Sequence, residues 1–413
     1  MAVGIGTYAL AGFVYLALTG HHLGAEGAAP ALVAWSVLNA VCFGLYAGVE
    51  QHISRRVRLG GTHRVLALAQ ARRFITLSVG VVSVVALSVS GPLSRAFFFG
   101  ERGVVLALAA AFLMHAVAYW YRGLLGGEGR FRRYAAQLVV DGLLRIAGAG
   151  LFTVLGVTDV TVWVLLLATT PAIAVLVTLP RGSAPGVAAD AESVRGTLPT
   201  AVLTTLTSQV MANLATTIIP LLAVASVVSA FSYAVVVTRL PLLAFAAIVA
   251  VGLPRLAGHV ASGRRAAYLA DLRLLTMVTG ALALGGAVPA VILGEWATRV
   301  LFGVKHDAPT VLWVVLASAC VALMLGSLAA QALLALGRDL AVVSGWGAGL
   351  VVHAGLAFRG GDPEMAVATA MLVGALVSLV VLGVALARRL DTWPGSAPGA
   401  QDPSSAERIP ADG

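Results

Sequence analysis

Long apolar runs alternate with short basic segments along almost the whole chain. A helix needs roughly 20 consecutive apolar residues to cross a bilayer. The pattern therefore predicts about twelve spans, near residues 3–20, 29–49, 74–92, 102–121, 134–155, 161–179, 197–219, 225–252, 270–293, 308–335, 338–358 and 365–387. The longest polar connection near the middle is Pro180–Gly196 (PRGSAPGVAADAESVRG), whose Pro, Gly and Ser residues mark a linker. It divides the chain into an N-terminal six-helix bundle over 1–180, a cytoplasmic linker over 181–196 and a C-terminal six-helix bundle over 197–390. The tail, 391–413, is rich in Pro, Ser and Ala and reads as a disordered cytoplasmic segment. The expected fold class is an all-α integral membrane protein.

Composition supports this. Of 413 residues, 59% are hydrophobic and 11% charged, whereas a soluble domain carries about 25% charged residues. A net charge of +9 raises the question of nucleic acid. The arginines sit in short segments between apolar runs, as the positive-inside rule requires, so nucleic acid is rejected. Arg55, Arg56, Arg58, Arg64, Arg72 and Arg73 follow the second span; Arg122, Arg130, Arg132 and Arg133 follow the fourth; Arg255, Arg264, Arg265 and Arg273 follow the eighth. The other side holds only Arg95, Arg102, Arg299, Lys305 and Arg359. Both termini are therefore expected in the cytoplasm. Residues 2–20 lack a basic leading segment and read as the first span rather than a removed signal peptide. Cys42 and Cys320 lie in apolar runs and supply neither a disulfide framework nor a metal site.

The halves resemble each other. Val49–Gly80 and Val251–Gly280 each run from an apolar helix end, through a basic amphipathic segment containing glycine, to an arginine and the next span. Tyr121–Phe131 (YRGLLGGEGRF) likewise matches Ala330–Leu340 (AQALLALGRDL). Equivalent elements fall on the same side, so the repeat is parallel, with its axis along the membrane normal and a substrate site expected between the halves.

The turn Leu23–Gly27 (LGAEG), the apolar span after it, the exit at Arg55 and Arg56, and the segment Gly123–Tyr134 (GLLGGEGRFRRY) add a more specific pattern. Together they resemble the polysaccharide flippase branch of the multidrug/oligosaccharidyl-lipid/polysaccharide (MOP) exporter superfamily. The resemblance implies a MATE/MOP-like, V-shaped pair of six-helix bundles that moves its substrate by alternating access in a bacterial cytoplasmic membrane. It also implies a polyprenyl-diphosphate-linked glycan as substrate, surrounding membrane lipids, and glycosyltransferases or a polymerase as partners. The chain departs from lipid II flippases in having twelve spans rather than fourteen and no arginine cluster in the first span. Another polyprenyl-linked glycan is thus favoured over the peptidoglycan precursor.

The candidate chemistry lies where the apolar pattern is interrupted. No GxSxG, HExxH, P-loop or CxxC arrangement is present, so neither an enzyme, a cofactor nor a bound metal is expected. Asp141 and Arg145, four residues apart within the fifth span, share a helix face. They read either as a cavity-lining pair, with Arg145 contacting an anionic head group, or as a self-satisfied structural ion pair. Arg239 sits inside the eighth span, two residues before Pro241, with no carboxylate at helical spacing. A cation beside a proline kink suits a diphosphate, and the alternative is pairing with Asp141 or Glu50. Thr205, Gln209, Asn213 and Thr216 form a polar stripe on the seventh span, fit either to line a cavity or to bind helices together. Glu50, Arg55 and Arg56 stand at the inner mouth, with Glu50 expected to pair with one of the two arginines or to gate. Asn39, His115, Gln137 and Gln331 read as isolated interhelical hydrogen bonds. Three functions remain open: a lipid-linked-glycan flippase, a cation-coupled multidrug exporter using Asp141, and a non-transporting scaffold of a polysaccharide synthase complex.

Overall fold

A computed structural model describes residues 2–179, 197–305 and 307–393. The expected linker over 181–196 and nearly all of the expected tail lie outside the described residues. All regular structure in the described residues is helical: α1 (Ala2–Val37), a π-helical stretch (Leu38–Phe43), α2 (Gly44–Leu59), α3 (Gly61–Phe97), α4 (Arg102–Gly127), α5 (Phe131–Val154), α6 (Val160–Thr178), α7 (Leu198–Ile218), α8 (Ala225–Thr238), α9 (Pro241–Ala261), α10 (Arg265–Phe302), α11 (Thr310–Ala335), α12 (Asp339–Ala357) and α13 (Pro363–Asp391).

The apparent continuity of α1 hides a reversal. Gly24 has φ 67 and ψ −175, a left-handed-side backbone that glycine adopts without steric cost. Tyr15 and Trp35 would be about 30 Å apart on a straight helix, yet their rings stack at 5.9 Å. The segment Leu23–Gly27 therefore turns the chain back on itself. The first arm of α1 is one crossing, and the second arm continues through the π-helical stretch into α2 as another. At the other break, α8 and α9 follow one another along α10. Tyr233 stacks on Phe302, Pro241 packs at Gly286, and Gly252 packs at Leu275. The two short helices are one interrupted crossing. Among the described residues, ten segments are long and apolar enough to span; dividing the first at Gly24 and adding the α8–α9 pair gives the twelve crossings expected.

The basic segments differ from expectation. They are not loops. α2 runs to Leu59 and α3 begins at Gly61, with Gly60 alone (φ 70) between them. Amphipathic helix ends simply continue past the apolar run, because backbone hydrogen bonding is satisfied in either medium. α3 and α10, the third spans of their halves, have 37 and 38 residues. That is about 55 Å of helix against a core of about 30 Å. Matching turns close α4 and α11. Arg130 N–H donates to Leu125 O at 2.8 Å and Arg338 N–H to Leu333 O at 3.0 Å, across Gly129 (φ 70) and Gly337 (φ 69). This six-to-one bond is the Schellman closure of a helix end. The two segments that match in sequence, Tyr121–Phe131 and Ala330–Leu340, thus close in the same way.

Within the first bundle α1 packs on α5, α2 on α4 and α4 on α6; within the second, α13 packs on α11 and α12, and α10 on α9 and α11. The halves meet where α2 lies along α7 and α1 along α8.

Candidate functional site

The centre of the first bundle holds a buried ionic network. Asp141 Oδ1 accepts from Arg145 Nη2 at 2.9 Å and from Thr170 Oγ1 at 2.8 Å, and its Oδ2 accepts from Arg122 Nη2 at 3.3 Å. All three charged side chains are buried. The guanidinium of Arg122 lies over the rings of Tyr8 and Tyr119, and that of Arg145 over Tyr8 and Trp35, at 4.8–5.6 Å. Glu50 accepts from Tyr134 Oη at 2.6 Å and lies close enough to Arg122 to act on it electrostatically. Two carboxylates thus face two guanidiniums, and the low-dielectric site is near neutral. Arg122 was expected among the topology-setting loop arginines. It belongs instead to the last turns of α4, because that helix runs to Gly127, beyond the apolar stretch.

The second bundle contributes the opposite kind of site. α8 ends at Thr238, Arg239 occupies the break, and Pro241 starts α9. Proline has no N–H to continue the ladder and is tolerated at the first helical position, so the break falls just before it. The arginine projects into a cavity of about 310 Å³ between the halves, shared with Tyr8, Trp35 and Asn39 of the first half and Asn213 and Thr216 of α7. Its Nη2 lies 4.0 Å from Met371 Sδ and its Nε has no hydrogen-bond partner. Among the described residues no carboxylate forms an ion pair with it. Pairing with Asp141 or Glu50 does not occur.

Leu242 lines this cavity and also a larger cleft of about 950 Å³ that opens at the arginine-rich face. Arg55 and Arg56 stand at its mouth, and Thr205, Ser208, Gln209 and Gln331 line its wall. The opposite face is shut. His21 Nε2 contacts Val300 O at 3.2 Å, Tyr233 Oη donates to Leu16 O at 3.1 Å, and Tyr233 stacks on Phe302 at 4.4 Å.

The polar stripe of α7 divides between two tasks. Gln209 and Asn213 line the two spaces, and Asn213 Nδ2 donates back to Gln209 O at 2.9 Å. Thr205 and Thr216 also line them but tie the halves together as well: Thr205 Oγ1 donates to Gly44 O at 2.5 Å, and Thr216 pairs closely with Ser36. Asp141 and Arg145 line neither space and stand behind the Tyr8–Trp35 wall. Of the isolated polar residues, Gln137 bridges helices through Ala118 O at 3.4 Å. Asn39 and His115 instead bond to carbonyls one turn back in their own helices. Sequence reasoning missed Tyr8, Trp35, Ser36 and Arg122; the aromatic run beside Arg122 (Tyr119–Tyr121) was the available signal for the last.

No protein-family profile matches the chain. It is similar to solved structures of MATE family transporters. Against the inward-facing conformation of a multidrug resistance MATE family transporter of the MOP superfamily, the TM-score is 0.72 at 15% identity, covering 95% of this chain and 96% of that one. Against the outward-facing conformation of a multidrug resistance MATE family transporter of that superfamily, the TM-score is 0.64 at 15% identity, covering 95% and 94%. The fold is therefore that seen in MATE transporters. Among proteins known by sequence, an uncharacterized protein of Mycobacterium tuberculosis (strain ATCC 25618 / H37Rv) is 28% identical over 92% of this chain and 89% of its own length.

Proposed function

We propose that the chain is a flippase that carries a polyprenyl-diphosphate-linked oligosaccharide across the membrane for cell-envelope or extracellular polysaccharide assembly. The observation that carries the reading is Arg239, a guanidinium facing the cavity between the halves with no carboxylate beside it among the described residues. An ionisable group at that depth is costly unless something anionic meets it. A diphosphate does so with several oxygens matched to the planar fork. Asn39, Asn213 and Gln209 offer amide donors and acceptors toward sugar hydroxyls, and Tyr8 and Trp35 offer ring faces. Arg145 and Asp141 act by holding that aromatic wall in place. Arg55 and Arg56 belong to the mouth on the cytoplasmic side, whereas Glu50 is taken up by Tyr134 and the buried network and forms an ion pair with neither arginine among the described residues. The cation-coupled exporter needs an accessible carboxylate, and the arrangement works against it: Asp141 is buried and its two oxygens already take two arginines and Thr170.

The test is flipping of a fluorescent polyprenyl-diphosphate glycan in proteoliposomes, read by its exposure to an impermeant quencher. Arg239→Gln should slow flipping by about 10- to 100-fold, the span of one lost charge-assisted hydrogen-bond set. Arg239→Lys should keep part of the rate. An unchanged rate in Arg239→Gln would sink the reading.

A further inference from the structure

A separate cavity of about 400 Å³ lies beside the cleft at the arginine-rich face, walled by the end of α2 and the starts of α3 and α7. On α3, His63, Leu66, Gln70 and Arg73 recur at three- and four-residue spacing and share one helix face. His52 and Arg56, one turn apart on α2, stand opposite. Among the described residues, two arginines and two histidines line the space and no Asp or Glu does. His52 is only 6% exposed and its Nε2 has no hydrogen-bond partner, a buried polar atom that calls for one. The N-terminus of α7 at Thr197 and Leu198 adds the positive end of a helix dipole. His52, Arg56 and Thr197 line the cleft as well, so they form the partition between the two spaces. Beyond Arg73 the same face of α3 turns apolar. Leu77, Val81 and Val84 follow at the same spacing, each more than 60% exposed.

A basic pocket at the head-group level, continued by an apolar stripe running down into the bilayer, fits one class of ligand. We propose that this pocket binds the phosphate head group of a membrane lipid, with its hydrocarbon laid along α3. The substrate's diphosphate then passes over the His52–Arg56–Thr197 partition into the cleft. This second step rests on the flippase reading, while binding of a phosphate-bearing lipid rests on the pocket alone.

The test uses the full-length protein in phosphatidylcholine nanodiscs, titrated with undecaprenyl phosphate and read by native mass spectrometry, with inorganic pyrophosphate as competitor. The paired substitution His63→Gln, Arg73→Gln should weaken lipid binding by about tenfold or more. Arg73→Lys should restore most of it, and Arg299→Gln, an exposed cation on the opposite face, should leave it unchanged. Pyrophosphate should compete poorly, because it lacks the chain that α3 holds. Wild-type lipid affinity in the paired variant overturns the proposal, and so does full displacement by pyrophosphate, which would mark a soluble-anion site. Pocket-dependent lipid binding without glycan flipping would leave this site standing and refute the flippase reading. Wild-type lipid affinity and flipping in the paired variant would do the reverse.

Discussion

Asp141 and Arg239 are both ionisable residues inside the helical bundles, and their surroundings are opposite: one is ion-paired and the other is not among the described residues. Asp141 is the shared counter-charge of Arg122 and Arg145. Asp141→Asn would remove the carboxylate that ion-pairs with both buried guanidiniums, leaving only Glu50 at longer range beside Arg122, a change expected to destabilise by about 3–5 kcal/mol. Thermal unfolding of the detergent-purified variant should show a marked fall in midpoint. Arg239→Gln should leave the midpoint unchanged or raise it, because the wild-type cation has no ionic partner to lose among the described residues. Equal losses of stability in the two variants would contradict the division into a structural network and a ligand-facing cation. The presence of the Asp141–Arg145 pair was legible from its spacing of four. Its third member was not: an arginine at the end of an apolar run, as Arg122 is, reads as a topology signal until the neighbouring helix is known to carry a carboxylate at its level. Whether Arg239 found a partner was equally a question of tertiary packing, and spacing along one helix could not answer it.

At the scale of elements, the apolar runs located every crossing because the length of a spanning helix is fixed by the bilayer. They misplaced the ends because α2, α3 and α10 keep their helical hydrogen bonds while their side chains turn basic. The seam between α2 and α7 was also hidden, since small residues that permit backbone contact look like any other glycines in a span. Gly48 shows what that seam requires. A Cβ added there would sit 2.6 Å from Val202 Cα and 2.8 Å from Ala201 O, main-chain atoms that no side-chain rotation can clear. Gly48→Leu should therefore separate the helices and lower stability by about 1–3 kcal/mol or more. Gly280→Leu on α10, which has open space around its α-carbon, should be tolerated. The measurement is the folded, monodisperse fraction on size exclusion after mild heating. Equal recovery of both variants would mean the seam is looser than its geometry.

The whole molecule presents one open and one closed face. The cleft reaches the arginine-rich face, while on the other face the chain around His21 and Leu16 is held by Val300, Tyr233 and Phe302 of the second bundle. If transport proceeds by alternating access, these contacts must part once in every cycle, whereas nothing in the transport of a single state requires them to open. His21 and Tyr233 meet backbone carbonyls across this face, so separating them breaks no ion pair among the described residues, although it exposes Leu16, Tyr233 and Phe302 of the shared core. Cysteines at His21→Cys and Val300→Cys, in a background with Cys42 and Cys320 replaced, can be joined with a short disulfide-containing bismaleimide. The linked protein should remain folded and lose flipping by at least about tenfold, since a barrier raised by more than 1.4 kcal/mol slows a step by that factor. Reduction of the linker should restore the rate, which separates a mechanical lock from damage caused by the substitutions. Flipping at the unlinked rate while the link is intact would show that the two bundles need not part at this face, and alternating access between them would have to be abandoned.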